Sequence, residues 1–248
     1  MSGFNNSSKK VAILQSNYLP WRGYFDLIAS VDEFIIYDDM QYTKNDWRNR
    51  NRIRTAHGTQ WLTVPVRRNT LQQRIRDTQV MDRRWAARHW RTLSQAYARA
   101  PHFEFGRSLL AALYTEAASL ECLSDINLLF LAAICKQLGI RTRISRSSDY
   151  AYDPTADRTA RLVQMLQAVG GTGYLSGPAA RQYLAEQQMA AAGIGVQWMS
   201  YSGYPEYPQV HGVPFEPAVS IVDLLFNTGP AAAQYIRAAG GPVSLGIV

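Results

Sequence analysis

The chain has few of the residues from which disulfides and zinc sites are built. It contains two cysteines, Cys122 and Cys135, and four histidines in 248 residues. There is no CxxC, and no two histidines lie three or four positions apart, so a zinc site is not expected. Since 47% of the residues are hydrophobic, the chain can bury a core without disulfides. We expect both cysteines to be reduced core residues of a cytosolic protein.

Long apolar runs are also absent. No window approaches the roughly 18 apolar residues that a transmembrane helix needs. The first ten residues are mostly polar and end in Lys9-Lys10, so a signal peptide is not expected there. We therefore predict a disordered tail over residues 1–10, a cytoplasmic location and no integral membrane segment. No GxSxG motif or Cys/His nucleophile pattern is present either.

Charge is unbalanced. The chain carries 26 basic and 19 acidic residues, for a net charge of +7. An excess of this size favours phosphorylated ligands or polyanionic partners. It does not distinguish a nucleotide from a nucleic acid or an anionic membrane surface.

A strand–helix–strand pattern opens the chain. Val11–Gln15 and Glu33–Tyr37 are short apolar runs, and Pro20 stands where a helix can begin between them. This spacing predicts a βαβ unit with parallel strands. We predict a three-layer α/β fold, Rossmann-like or nucleotidyltransferase-like, over a single domain of residues 11–248. A helical insert is expected at about residues 81–138.

Hydrophobic periodicity predicts the remaining elements. Further strands are predicted at Trp61–Val66, Arg141–Ser145 and Gly195–Met199. Further helices are predicted at Met81–Ala100, Phe105–Ser119, Leu123–Leu138, from a cap at Thr155 or Asp157 to Val169, at Pro178–Ala191, and at Ala218–Asn227.

The most distinctive stretch is QYTKNDWRNRNRIR, residues 41–54. Its arginines occupy every second position from Arg48 to Arg54. In an extended chain they would share one face, and their mutual repulsion calls for an anion or several carboxylates among them. Phosphate is the first candidate, because the guanidinium fork matches it. Trp47 or Tyr42 could stack on a base, whereas the alternative is a solvated basic loop.

Polar groups at the predicted strand ends are the other candidates. Gln15, Asn17 and Tyr18 follow the first strand, and Asp38-Asp39 follow the second. The two aspartates could form a base or metal site. Alternatively, one of them caps a turn and the other pairs with an arginine. His211, in PQVHGVPFEP, is the best acid–base candidate, although it could simply pack on a loop tyrosine. GGTGYLSGP, residues 170–178, contains Ser176-Gly177 just before Pro178. These two residues are either a helix start that can hold an anion or part of a tight turn.

Several of these motifs together resemble one family. VAILQSNYLPWRGYFDLIASVDEFIIYDDMQYTKNDWRNRNRIRT, QWLTVPV, TGYLSGPAARQYL, YPQVHG and FEPAVSIVDLLFNTG occur in the order and at the spacing of the WbqC-like proteins. The resemblance spans residues 11–229. One departure is Ser16, where the family pattern has Pro.

The resemblance implies a role in bacterial O-antigen and other surface-polysaccharide biosynthesis. The implied activity is acyl or aminoacyl (glycine) transfer to an amino sugar, here a nucleotide-linked one, from an aminoacyl-tRNA or another activated acyl donor. The resemblance leaves any cofactor unknown. Carried over by motif, the site residues are Gln15, Asn17, Tyr18, Pro20, Asp38, Asp39, Gln41, Tyr42, Lys44, Trp47, Arg48, Asn49, Arg50, Asn51, Ser176, Gly177 and His211.

Two alternatives remain open. The first βαβ unit is also similar to the opening of the HIGH-type nucleotidyltransferases, but LPWRGY stands where HxGH would be. An RNA- or tRNA-binding protein would also use arginine, asparagine and aromatic residues in one strip.

Overall fold

The computed structural model describes residues 8–238. Its strands are β1 (Lys10–Leu14), β2 (Glu33–Ile36), β3 (Arg50–Thr55), β4 (Gly58–Thr63), β5 (Arg143–Arg146), β6 (Gly173–Ser176) and β7 (Gly195–Trp198). Five of them form one parallel sheet in the order β5-β2-β1-β6-β7. The other two, β3 and β4, form a separate antiparallel hairpin.

Seven α-helices accompany the strands in the described part of the chain. They are α1 (Arg22–Ala29), α2 (Trp85–Tyr97), α3 (Phe103–Ala117), α4 (Leu123–Gln137), α5 (Arg158–Ala168), α6 (Glu186–Ala191) and α7 (Ile221–Thr228). None of the helices within residues 8–238 is long and apolar enough to span a bilayer.

The two faces of the sheet bury different side chains, which produces three layers. Ala12 and Phe34 face the larger core, shared with α1, α2, α3, α4 and α7. Val11 and Ile35 face the smaller core, shared with α5 and α6. Because β1 and β2 are covered on both faces, they are continuously apolar rather than alternating. The predicted three-layer α/β core and the parallel β1–β2 pair are thus confirmed.

The amino-terminal end of the sheet is held by a buried carboxylate. Glu33 accepts hydrogen bonds from Lys9, Ser145 and Tyr150. Burial alone would raise the pKa of Glu33, but these bonds outweigh it and hold the pKa below its ordinary value. The tail prediction was therefore too long, since Lys9 is bonded and Lys10 begins β1. Residues 1–7 of that tail lie outside the described residues.

Between residues 170 and 191 the structure departs from prediction in two ways. The glycine-rich turn contains the strand β6, which pairs with both β1 and β7. The predicted helix at Pro178–Ala191 is split into a 3₁₀ turn, Pro178–Gln182, and the six-residue α6. The sequence pattern predicted a long helix beginning at Ser176-Gly177, but only a short 3₁₀ turn begins there.

Candidate functional site

Three loops meet at the carboxyl end of the sheet, and we call this edge the rim. The Arg48 guanidinium donates to the Gln15 and Ser16 carbonyls and to Asn17 Oδ1, the last at 2.5 Å. The Tyr18 backbone N–H donates to the Trp47 carbonyl at 3.0 Å. The end of the first strand and the arginine stretch thus meet at the rim, and Arg48 acts there as a structural clamp.

Asp38 lies inside the rim as a structural hub. Its carboxylate accepts from the Ser16 N–H at 2.8 Å, from Ser16 Oγ at 2.7 Å and from Ser124 Oγ. Asn127 on α4 donates to Ser16 Oγ and to the Arg48 carbonyl. Ser16, the departure from the family pattern, thus donates two hydrogen bonds to Asp38. A proline at this position could donate neither, because it has no N–H and no hydroxyl.

Asp39 is also paired. One carboxylate oxygen lies 2.5 Å from Arg76 Nη1, and the other accepts from Ser147 Oγ. Each acid is thus bonded to neighbouring side chains. This arrangement is close to the alternative in which one aspartate caps a turn and the other pairs with an arginine. Among residues 8–238, no group of three His, Cys, Asp or Glu side chains is placed to hold a metal ion.

The arginine stretch forms one face of β3. Arg50, Arg52 and Arg54 point away from the core, while Asn51 and Ile53 are buried. We call these three arginines the arginine row. Among the described residues, no carboxylate lies within 4 Å of their guanidinium nitrogens. Their Nε atoms are shielded and have no hydrogen-bond partner there. The row therefore has excess positive charge and unused donors.

Tryptophans flank the arginine row. The Arg50 guanidinium stacks over the Trp61 ring at 4.1 Å, and Trp47 lies 5.5 Å from Trp61. Both tryptophans are 42% exposed. Exposed aromatic faces beside arginine are suited to stacking on flat rings such as nucleobases.

A cavity of about 450 Å³ opens beside the row, and we call it the aromatic cavity. Trp21, Trp47 and Tyr201 supply its aromatic surface, and Asn17 and Arg52 supply polar groups. Its walls are joined to α7, since Ser220 N–H donates to the Arg52 carbonyl at 2.8 Å. Its size lies within the range of small-ligand sites.

His211 lies near the far end of the row. Arg54 Nη2 approaches the carbonyl of the adjacent Gly212 at 3.5 Å. The His211 ring centroid is 6.1 Å from that of Tyr97, whose hydroxyl donates to the buried Asp223. His211 Nε2 is shielded, with no hydrogen-bond partner among the described residues.

Asp223 is buried beneath this histidine. Burial raises its pKa, whereas hydrogen bonds from Tyr207, Gln209 and Tyr97 and the charge of His211 act in the opposite direction. Nothing in the spacing of the sequence pointed to Asp223, because it reads as one acid in an apolar helix.

Several predicted site residues lie away from the aromatic cavity. Tyr18 is fully buried, with its hydroxyl bonded to His89 and Tyr114. Asn49 is buried and donates to the Val64 carbonyl. A separate surface depression contains Tyr42, Lys44 and Asn49, and Gln41 donates to the Leu71 carbonyl. Sequence proximity placed these residues together, but the fold turns their side chains in different directions.

Ser176 and Gly177 line a different cavity, which also includes Gln15. It measures about 410 Å³ and lies where β1 and β6 diverge, and we call it the crevice cavity. The sequence analysis did not single out its arginines, Arg158 and Arg161, which stand on α5. The Asp157 side chain caps α5, in agreement with one of the two predicted caps.

The main omissions at the aromatic cavity are Trp21 and Tyr201. Their rings are 5.2 Å apart, although 180 positions separate them in the chain. The aromatic character of the loop at 201–217 was visible in the sequence, but nothing indicated that it reaches α1. Arg52 and Arg54 lie in the basic stretch that the sequence analysis singled out. The sequence pattern gave no reason to choose them over Arg48 as ligand-binding residues.

The fold and site define an α/β protein with a three-layer core and a cationic, aromatic-lined rim. The profile of the WbqC-like protein family matches residues 15–235, and the chain belongs to this family. It is 52% identical over 230 residues to the uncharacterized protein Rv1507c of Mycobacterium tuberculosis, covering 92% of this chain and 98% of that protein. No solved structure is significantly similar to it.

Proposed function

We propose that the protein is an N-acyl or aminoacyl transferase acting on a nucleotide-linked amino sugar in bacterial surface-polysaccharide biosynthesis. The observation that carries this proposal is the arginine row beside the aromatic cavity. The row offers guanidiniums without carboxylate partners among the described residues, and the cavity offers stacking surface within a few residues of it. A nucleoside diphosphate sugar presents the matching groups, a flat base and two phosphates.

The proposed pose follows the order of groups along β3. The base stacks among Trp21, Trp47 and Tyr201, and the diphosphate lies along Arg50, Arg52 and Arg54. The sugar then lies toward His211, next to the Arg54 end of the row.

The proposed chemistry is direct attack by the sugar amine on the acyl carbonyl. The C–N bond forms, the bond to the donor's leaving group breaks, and the amine proton passes to His211. Neither cysteine is suited to covalent catalysis. Burial raises the pKa of Cys135 to about 12 and also raises that of Cys122.

A His211→Gln variant tests this chemistry. We expect kcat for acyl transfer to fall at least about 100-fold, because general acid–base catalysis contributes roughly 10²–10⁴-fold. Binding of the nucleotide amino sugar, measured by calorimetry, should not change. His57→Gln, in the exposed β3–β4 turn, is the matched control and should retain full activity. Full activity in His211→Gln would contradict the assigned role.

The acceptor class is identified by a thermal-shift screen against nucleotide amino sugars, plain nucleotides and bulk tRNA. A ligand that binds only the native state raises Tm by mass action. A shift with a nucleotide amino sugar is the expected result, whereas shifts with none of them would contradict the proposal.

A second candidate is binding of tRNA, either alone or as the aminoacyl donor. The exposed Trp47 and Trp61, with Arg50 stacked on Trp61, favour it because such a surface also suits single-stranded RNA. In that case tRNA affinity should fall steeply with salt. Nucleotidyl transfer has weaker support, because residues 19–24 place no histidine at the start of α1.

A further inference from the structure

We propose that the crevice cavity is a second ligand site, which takes the phosphate group of a small molecule. It is separate from the arginine row. The loop of residues 15–17 lies between the two, with Gln15 lining the crevice cavity and Asn17 lining the aromatic cavity. The Arg48 guanidinium bonds both residues and holds this wall in place.

The position of the cavity follows from the order of the strands. From β1 the chain builds outward through β2 to β5, and then returns to the other side of β1 with β6. The loops after β1 and β6 therefore leave the sheet in opposite directions and open a crevice between them. Ligands of open α/β sheets collect at such switch points.

Two buried polar atoms at this cavity make no well-formed hydrogen bond in the described part of the chain. Tyr37, which is 7% exposed and lines the cavity, has its hydroxyl beside Arg161 and Tyr152 without a hydrogen bond of good geometry to either. The Nε of Arg161 is likewise shielded and unpaired. Buried polar groups in native proteins are almost always hydrogen-bonded, so two orphans at one cavity point to a ligand that supplies the missing acceptors.

The cavity also carries net positive charge. Arg158 and Arg161 stand three residues apart on α5, and thus on neighbouring positions of one helix face. Among residues 8–238, neither forms an ion pair within 4 Å. The nearby Asp157 carboxylate is occupied as the N-cap of α5 by the Thr159 and Ala160 N–H groups. Two guanidiniums without a carboxylate match a dianionic phosphate.

The rest of the ligand would meet an apolar and aromatic wall. Leu14, Met40 and Tyr174 line the interior. Tyr183, 52% exposed, lies beneath the Arg158 guanidinium at 5.6 Å. The volume of about 410 Å³ admits a phosphorylated molecule with a modest organic part. Under the proposed function this molecule would be the phosphorylated part of the acyl donor, but the site itself does not depend on that function.

The test is calorimetry of the full chain with inorganic pyrophosphate as probe. Measurements are made in an Arg50→Ala/Arg52→Ala background, so that the arginine row does not contribute. We expect this background to bind one pyrophosphate. Adding Tyr37→Phe or Arg161→Met should weaken binding about 10- to 100-fold, since each removes a hydrogen bond to a charged group. Adding Arg107→Met, a surface arginine paired with Glu104, is the matched control and should change nothing.

Tyr37→Phe separates binding from folding. The phenylalanine keeps the ring packed on Tyr152, with the two ring centroids 6.0 Å apart, and removes only a hydroxyl that makes no well-formed hydrogen bond to its neighbours. Its Tm should therefore not fall. If the background binds no pyrophosphate, or if Tyr37→Phe and Arg161→Met bind it as the background does, the proposal is wrong. Failure of the proposed function would show independently, as unchanged nucleotide-sugar affinity in the arginine-row background.

Discussion

Neighbouring arginines have different tasks at the rim. Arg48 donates hydrogen bonds to the loop of Gln15, Ser16 and Asn17. Arg52, in contrast, has a shielded Nε and no carboxylate partner among the described residues. The alternation along an extended strand predicts that these arginines share one face, but it does not predict their different roles. Each role depends on which loop the guanidinium group reaches.

Histidine 89 shows how burial overrides residue type. It lies against Tyr18 and Trp85, and burial lowers its pKa to about 4, an effect that the hydrogen bond with the Thr63 carbonyl reduces only in part. The sequence shows a lone histidine on an apolar helix face, which is consistent with this core position.

This pKa predicts a pH dependence of stability. A histidine in the unfolded chain binds a proton near pH 6.5, but folded His89 does so only near pH 4. The unfolded state therefore gains protons first, and the free energy of unfolding should fall as the pH drops from 6.5 to 4, by about 3 kcal/mol. Denaturant titrations across this range measure it.

His89→Gln provides the comparison. It removes the titrating group, so its free energy of unfolding should change less over the same pH range than that of the parent chain. Parallel curves for the two proteins would show that His89 is not the group responsible.

At the scale of elements, the apolar runs of β1 and β2 were sufficient to predict the parallel pair. Their side chains are covered on both faces, so the hydrophobic signal is continuous. Strand β6 was missed because the glycines in and around it dominate the local pattern. Gly173–Ser176 is extended because β1 and β7 supply partners on both sides, which is information from distant sequence.

Glu33 ties these elements together and gives a prediction of its own. Glu33→Gln should lower the free energy of unfolding at neutral pH by about 3 kcal/mol, because Lys9 loses its anionic partner at a buried site. Thermal and denaturant unfolding measure the loss. Glu104→Gln, on the surface of α3, should change stability by less than about 1 kcal/mol.

The stabilisation by Glu33 also depends on pH. The pKa of Glu33 is lowered on folding, so its contribution is complete above the unfolded carboxyl value of about 4.3. It is lost as the pH falls through the lower folded pKa. The gap between the parent chain and Glu33→Gln should therefore narrow in acid, and a constant gap would argue against the ionised pair.

At the scale of the whole molecule, the three-layer fold followed from local patterns, but the binding surface did not. Trp21, Trp47 and Tyr201 come together only because α7 and the loop at 201–217 pack on the start of α1. Likewise, Arg158 and Arg161 line the same cavity as Gln15 because the chain returns to the side of β1 with β6. Contacts of this range depend on tertiary packing, which no single stretch encodes.

The central claim is that the arginine row binds the diphosphate of a nucleotide sugar. The most direct measurement is calorimetric binding of a nucleotide amino sugar to the parent chain, Arg50→Ala, Arg52→Ala and the surface control Arg107→Ala. Each row variant should bind about 10- to 100-fold more weakly, because a charge-assisted hydrogen bond is lost, while the control should match the parent. Equal affinities across all four proteins would remove the arginine row from the site and contradict the account.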